Sequence, residues 1–173
     1  MKSLITIYRI FSYFLLIIAA FLGIGLVAVL FVALANPSML LNVFVGAAVV
    51  MYSVSSFMFL INGIDGKKQL KPGLKDFIRV NAFVAVFFCV MNIFQSITVI
   101  MNPSVLGEAI NQLPQLTNGQ QLPKETILKV LQGTMWFLLI YSIILFVHIQ
   151  ITFGLLKQHI HLFGSKTEDN NRF

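Results

Sequence analysis

The sequence predicts an all-α membrane protein, a four-helix transmembrane bundle built from two hairpins. Three observations predict it. The first is composition: 58% of the 173 residues are apolar and only 10% are charged, where a soluble domain carries about 25% charged. A mean hydropathy of +0.88 and 17 phenylalanines leave too little polar surface to cover a soluble globule. The second is the distribution of charge, with no charged side chain from Ile10 to Ile64 and none from Val80 to Gly107. The third is the block between those runs, Asp65–Arg79 (DGKKQLKPGLKDFIR), in which Lys67, Lys68, Lys71, Lys75 and Arg79 outnumber Asp65 and Asp76. Residues 1–173 read as one transmembrane domain.

A span needs about 20 apolar residues. The first runs over about 10–35. It is longer than the roughly 7–15 residues of a signal h-region, so it reads as a retained helix despite the small-x-small Ala33-Leu34-Ala35. Asn36-Pro37 breaks it, because the residue before proline is driven out of the α region and proline suits a first helical turn. The second span follows at about 38–62, with Asn36 as its cap, and Gly63 and Gly66 end it beside the basic loop 63–76. The third occupies about 77–101 and stops at Asn102-Pro103, the same device. In the outer loop 102–124, Leu106, Ile110 and Leu113 have the spacing of a short surface helix. The fourth span covers about 125–156, and a polar tail, 157–173, closes the chain.

Orientation follows from counting Lys and Arg on each side. Ten of the twelve basic residues share a side: Lys2, Arg9, the five of the block, Lys157, Lys166 and Arg172. Only Lys124 and Lys129 lie opposite. Both termini and the basic loop are therefore expected in the cytoplasm, and the absence of an N-x-Ser/Thr sequon in the outer loop fits a bacterial inner membrane. The two hairpins also echo each other: Asn36-Pro37-Ser38 recurs as Asn102-Pro103-Ser104, and Tyr52-Ser53 as Tyr141-Ser142. A parallel duplication and coincidence in a Phe/Leu/Ile-biased alphabet both explain this.

Within the spans the informative residues are polar or small, since apolar side chains face lipid at no cost. Asn81, Asn92 and Gln95 lie on the third helix and His148 on the fourth, a candidate polar bundle face. Two readings stand: interhelical glue, or the lining of a pocket or pore. His148 is ionisable inside a span, which makes it a functional candidate, but no Asp or Glu is buried with it to form a relay. Haem between helices needs a second histidine opposite, and no other span has one. His159-x-His161 with Glu168 and Asp169 offers a metal little beyond a titratable helix end. Cys89 stands alone in an apolar segment, without a CxxC partner.

The basic block has a topological reading and a recognition reading. In the second, Lys67, Lys68, Lys71, Lys75 and Arg79 meet anionic lipid headgroups, each basic residue contributing roughly 1 kcal/mol near such a surface. Nucleic acid is not expected, because the charges flank apolar runs instead of forming a stripe on a soluble face. No serine elbow, HExxH, phosphate-cradling glycine loop or buried carboxylate pair is present, so no enzyme, cofactor or metal is expected.

The hairpins with Asn-Pro turns and the Lys-rich loop leading into FIRVNAFVAVFF resemble the small four-helix integral membrane proteins of bacteria. The resemblance implies a compact bundle and brings no catalytic or ligand residues. The function expected is a non-enzymatic accessory or scaffold subunit, or a homo-oligomer, with the lipid bilayer and itself or another membrane protein as partners. The alternative is a small transporter or channel with a polar path along the third and fourth helices.

Overall fold

A computed structural model describes residues 2–107 and 123–164. Four long helices dominate it: α1 Lys2–Ala35, α2 Leu40–Met58, α3 Pro72–Met101 and α4 Lys124–Gln158. Each is long and apolar enough to cross a membrane. The fold is all-α, as the charge-free runs require. In lipid every backbone amide must find its partner within the segment, and the helix meets that condition alone.

The breaks fall where the sequence places its breakers. Asn36 leaves the helical region at φ −132° and caps a short 3₁₀ turn, Pro37–Met39, its side chain accepting from the Ser38 amide and from the Ser38 hydroxyl at 2.7 Å. α2 follows at once. It passes Gly63 in a π-helical turn over Phe59–Asp65 and ends at Gly66, the second of the two glycines expected to stop it. Such turns are rare. Here the turn closes through Gly66 N–H to Ile61 C=O and Lys68 N–H to Asn62 C=O, each 2.9 Å, and Lys67 adopts a left-handed φ of 48°.

Two boundaries lie further out than hydropathy alone places them. α1 begins near the N-terminus and carries Arg9 in its second turn, and α3 begins at Pro72, inside the basic block. Hydropathy marks what lies in hydrocarbon, whereas a helix can continue into the headgroup layer. The expected surface helix after Asn102 is helical over 104–107; Ile110 and Leu113 lie outside the described residues.

The chain forms two compact units. The first contains α1, α2, the part of α3 up to Phe88 and α4 from Leu145, so all four helices contribute to one bundle. Its core includes Leu15, Ala19, Val49, Phe59, Ile78 and Leu145, all buried. The second unit is Cys89–Ile144, whose buried side chains include Cys89, Ser96, Tyr141 and Ser142.

One end of the first unit is tied across the chain. Arg9 of α1 meets Asp65 at 2.6 Å. The Leu70 amide donates to Leu162 C=O at 2.7 Å, in a short parallel bridge between Leu70 and Phe163. Phe163 stacks on Phe59 with ring centroids 5.7 Å apart. The basic loop is thus held against the end of α4.

Burial runs opposite to that of a soluble protein. α1 is the most apolar helix and the least buried, 11% of its most hydrophobic window against 44% for α2. Phe21, Phe31 and Phe83 are each at least 69% exposed. Exposed apolar surface on this scale is a bilayer-facing surface.

Candidate functional site

The first unit carries a buried polar cluster drawn from three helices, each contributing residues one turn apart. α1 supplies Tyr8 and Ser12, α2 supplies Tyr52 and Ser56, and α4 supplies His148 and Thr152, all nearly inaccessible to solvent. Spacing of i, i+4 puts both members of each pair on one face, so three helices can meet through polar stripes and leave their apolar faces to lipid.

His148 is the centre. Its Nε2 lies 2.9 Å from Ser12 Oγ and its Nδ1 2.8 Å from the Tyr52 hydroxyl. The Tyr52 hydroxyl is also 2.8 Å from Thr152 Oγ1. Tyr8 stacks on the imidazole, ring centroids 4.6 Å apart and 8° from parallel, and Tyr52 meets it edge-on at 5.7 Å. The Tyr8 hydroxyl donates to Ser56 C=O at 3.3 Å and lies 3.5 Å from Thr152 Oγ1. Ser12 Oγ donates to Tyr8 C=O and Thr152 Oγ1 to His148 C=O, both at 2.8 Å.

Counting protons shows how the cluster is satisfied. A neutral imidazole has one N–H and one lone pair. With the proton on Nε2, the ring donates to Ser12, Ser12 donates to Tyr8 C=O, Tyr52 donates to Nδ1 and Thr152 turns to Tyr52. With the proton on Nδ1, the ring donates to Tyr52, Tyr52 to Thr152, Thr152 to His148 C=O, and Ser12 turns to Nε2. Each tautomer satisfies both contacts to the ring and the Tyr52–Thr152 contact, leaves the 3.5 Å Tyr8–Thr152 approach without a proton, and gives up one hydroxyl-to-carbonyl bond, on a carbonyl that a helical amide already engages. An imidazolium would instead be a buried charge with no carboxylate among its bonded partners, the costly case. The bonds run from α1 through α4 to α2 and join the three helices.

Asn81 and His148 belong to the first unit, where the Asn81 amide donates to Phe77 C=O of its own helix at 2.8 Å. Asn92 and Gln95 belong to the second, the former half-buried and the latter exposed. The histidine was found from sequence; its partners Tyr8, Ser12 and Tyr52 were not. The signal that finds them is the repeated i, i+4 pairing of hydroxyl or ring residues on three different spans.

In the basic loop Lys67, Lys68, Lys71 and Arg79 are exposed and Lys75 is half-buried. His159 Nδ1 lies 3.0 Å from Leu155 C=O of its own helix, and its ring is 6.0 Å from that of His161. Glu168 and Asp169 lie outside the described residues, and no group of three metal-ligating side chains occurs among those described. No protein-family model, curated protein or solved structure matches this chain.

Proposed function

We propose that this polytopic membrane protein is a non-enzymatic accessory or scaffold subunit that works through lateral contacts with copies of itself or with another membrane protein. The observation that carries the reading is the buried Tyr8–Ser12–Tyr52–His148–Thr152 cluster. Its polar atoms are engaged with each other across three helices. A relay or substrate path needs polar groups with capacity to spare and an open end. What the chain offers a partner is its outer helical surface, where small residues and long aromatic side chains favour helix contacts. The basic loop fits anionic headgroups on the cytoplasmic side of a bacterial inner membrane, the orientation that the charge bias favours.

Native mass spectrometry of the protein released gently from its own membranes tests this. The expected result is a defined homo-oligomer or a stable complex with another polypeptide. A monomer carrying a reproducible small-molecule mass, together with a solute flux that Asn92→Leu or Gln95→Leu abolishes, would replace it with the transport reading.

A further inference from the structure

The two units treat their buried hydroxyls differently. In the first, Ser53, Ser55 and Ser56 donate to a carbonyl three or four residues back, and the Ser12, Thr152, Tyr8 and Tyr52 hydroxyls all have partners in the cluster. In the second, Ser96 Oγ, Tyr141 Oη and Ser142 Oγ are buried without a hydrogen-bond partner among the described residues. The serines have a remedy, because a change of rotamer brings Oγ to the carbonyl four residues back. Tyr141 has none. Its phenol lies beyond reach of its own backbone, its ring stacks on Phe137 at 6.2 Å, and the residue is only 2% exposed.

A buried hydroxyl that neither its own helix nor any other described residue satisfies calls for a partner beyond the described residues. The surroundings define its chemistry. Cys89, within electrostatic range of Tyr141, is a weak donor and acceptor. Cys89, Asn92 and Ser96 recur at i, i+3 and i+7, so one face of α3 presents a thiol, an amide and a hydroxyl. The charged residues among those described in this unit, Lys124, Glu125 and Lys129, all lie in the first two turns of α4, at least three helical turns before Tyr141. The guest is therefore neutral and able both to donate and to accept.

We propose that the second unit binds water at the Tyr141 hydroxyl, a hydrated position within the membrane-spanning part of the helices. The cluster around His148 is dry by contrast, since its members satisfy each other. The inference is independent of the accessory role: a scaffold and a transporter can each hold structural water, and the oligomer measurement does not bear on it.

Water-edited solid-state NMR of the full chain in lipid bilayers, labelled at tyrosine Cζ, tests it. Tyr141→Phe identifies the relevant signal by its loss, and Tyr52 is the dry reference. Magnetisation from water is expected to reach Tyr141 Cζ several-fold faster than Tyr52 Cζ. Equal or slower transfer overturns the proposal. So does a thermal midpoint of Tyr141→Phe that is unchanged or raised, because deleting a dry, unbonded hydroxyl without changing shape costs nothing, whereas deleting the anchor of a bound water lowers it.

Discussion

At the scale of single residues, His148 is a joint between α1, α2 and α4, and its tautomerism makes a specific energetic prediction. Tyr52→Phe removes the partner of Nδ1, and the ring answers by keeping its proton on Nε2 for Ser12, leaving only a lone pair unbonded. Ser12→Ala is the mirror case. Each should cost about 1 kcal/mol, in the range of interhelical hydrogen bonds in membranes. The double variant has no such escape, since one ring nitrogen must carry a proton and neither then has an acceptor. A buried unsatisfied donor costs about 1–3 kcal/mol, so the double variant is expected to lose at least about 1 kcal/mol beyond the sum of the singles. Reversible unfolding in mixed micelles, run as a double-mutant cycle, measures this; strict additivity would mean that the two bonds do not share the ring. Composition made His148 visible, since a span holds few ionisable groups. Its partners were hidden because tyrosine and serine are ordinary residues in a helix, and only the packing of three helices shows which of them face the ring. Gln95, singled out by the same criterion of polarity, is exposed, because spacing along one helix cannot say which face a neighbour will cover.

At the scale of elements, the glycines separate by what a methyl group would meet. At Gly23 a Cβ would lie 3.8 Å from Val50 Cγ1, an ordinary contact between α1 and α2. Gly23→Ala should therefore be neutral or stabilising by up to about 1 kcal/mol, the difference in helix propensity. At Gly46 the neighbour is the end of the Leu26 side chain at 2.6 Å, which can turn aside. At Gly66 the neighbours are backbone, Ile61 C=O at 2.9 Å and Asn62 C=O at 3.0 Å, the same carbonyls that close the π turn. Gly66→Ala is expected to cost about 1–3 kcal/mol, as overpacking does, and to loosen the basic loop. Thermal melts of the three variants give the expected order of stability: Gly23→Ala highest, Gly46→Ala intermediate, Gly66→Ala lowest. The Asn-Pro breaks were legible because proline's ring and missing amide act locally. The π turn was not, because it depends on where Asp65, Leu70 and Phe163 are held by residues far away in the chain.

At the scale of the whole molecule, the apolar exterior was legible from composition alone, and what remains to be tested is which way the chain is threaded. Two tertiary contacts bear on it. Arg9 pairs with Asp65, and Leu70 bridges to Phe163, so the start of α1, the α2–α3 loop and the end of α4 meet at one end of the first unit. An exposed ion pair contributes little to stability, but its position supports placing these three segments on one side, the side to which the sequence reading assigns ten of the twelve Lys and Arg residues. The positive-inside bias then predicts that side to be cytoplasmic. Fused at the C-terminus, green fluorescent protein should fluoresce and alkaline phosphatase should be inactive; phosphatase inserted between α3 and α4 should be active. Replacing Lys67, Lys68, Lys71, Lys75 and Arg79 with glutamine, and adding lysines between α3 and α4, should invert part of the population, giving active C-terminal phosphatase. An orientation unmoved by that exchange would mean that the order of helix insertion, and not the charge of the central loop, sets the topology.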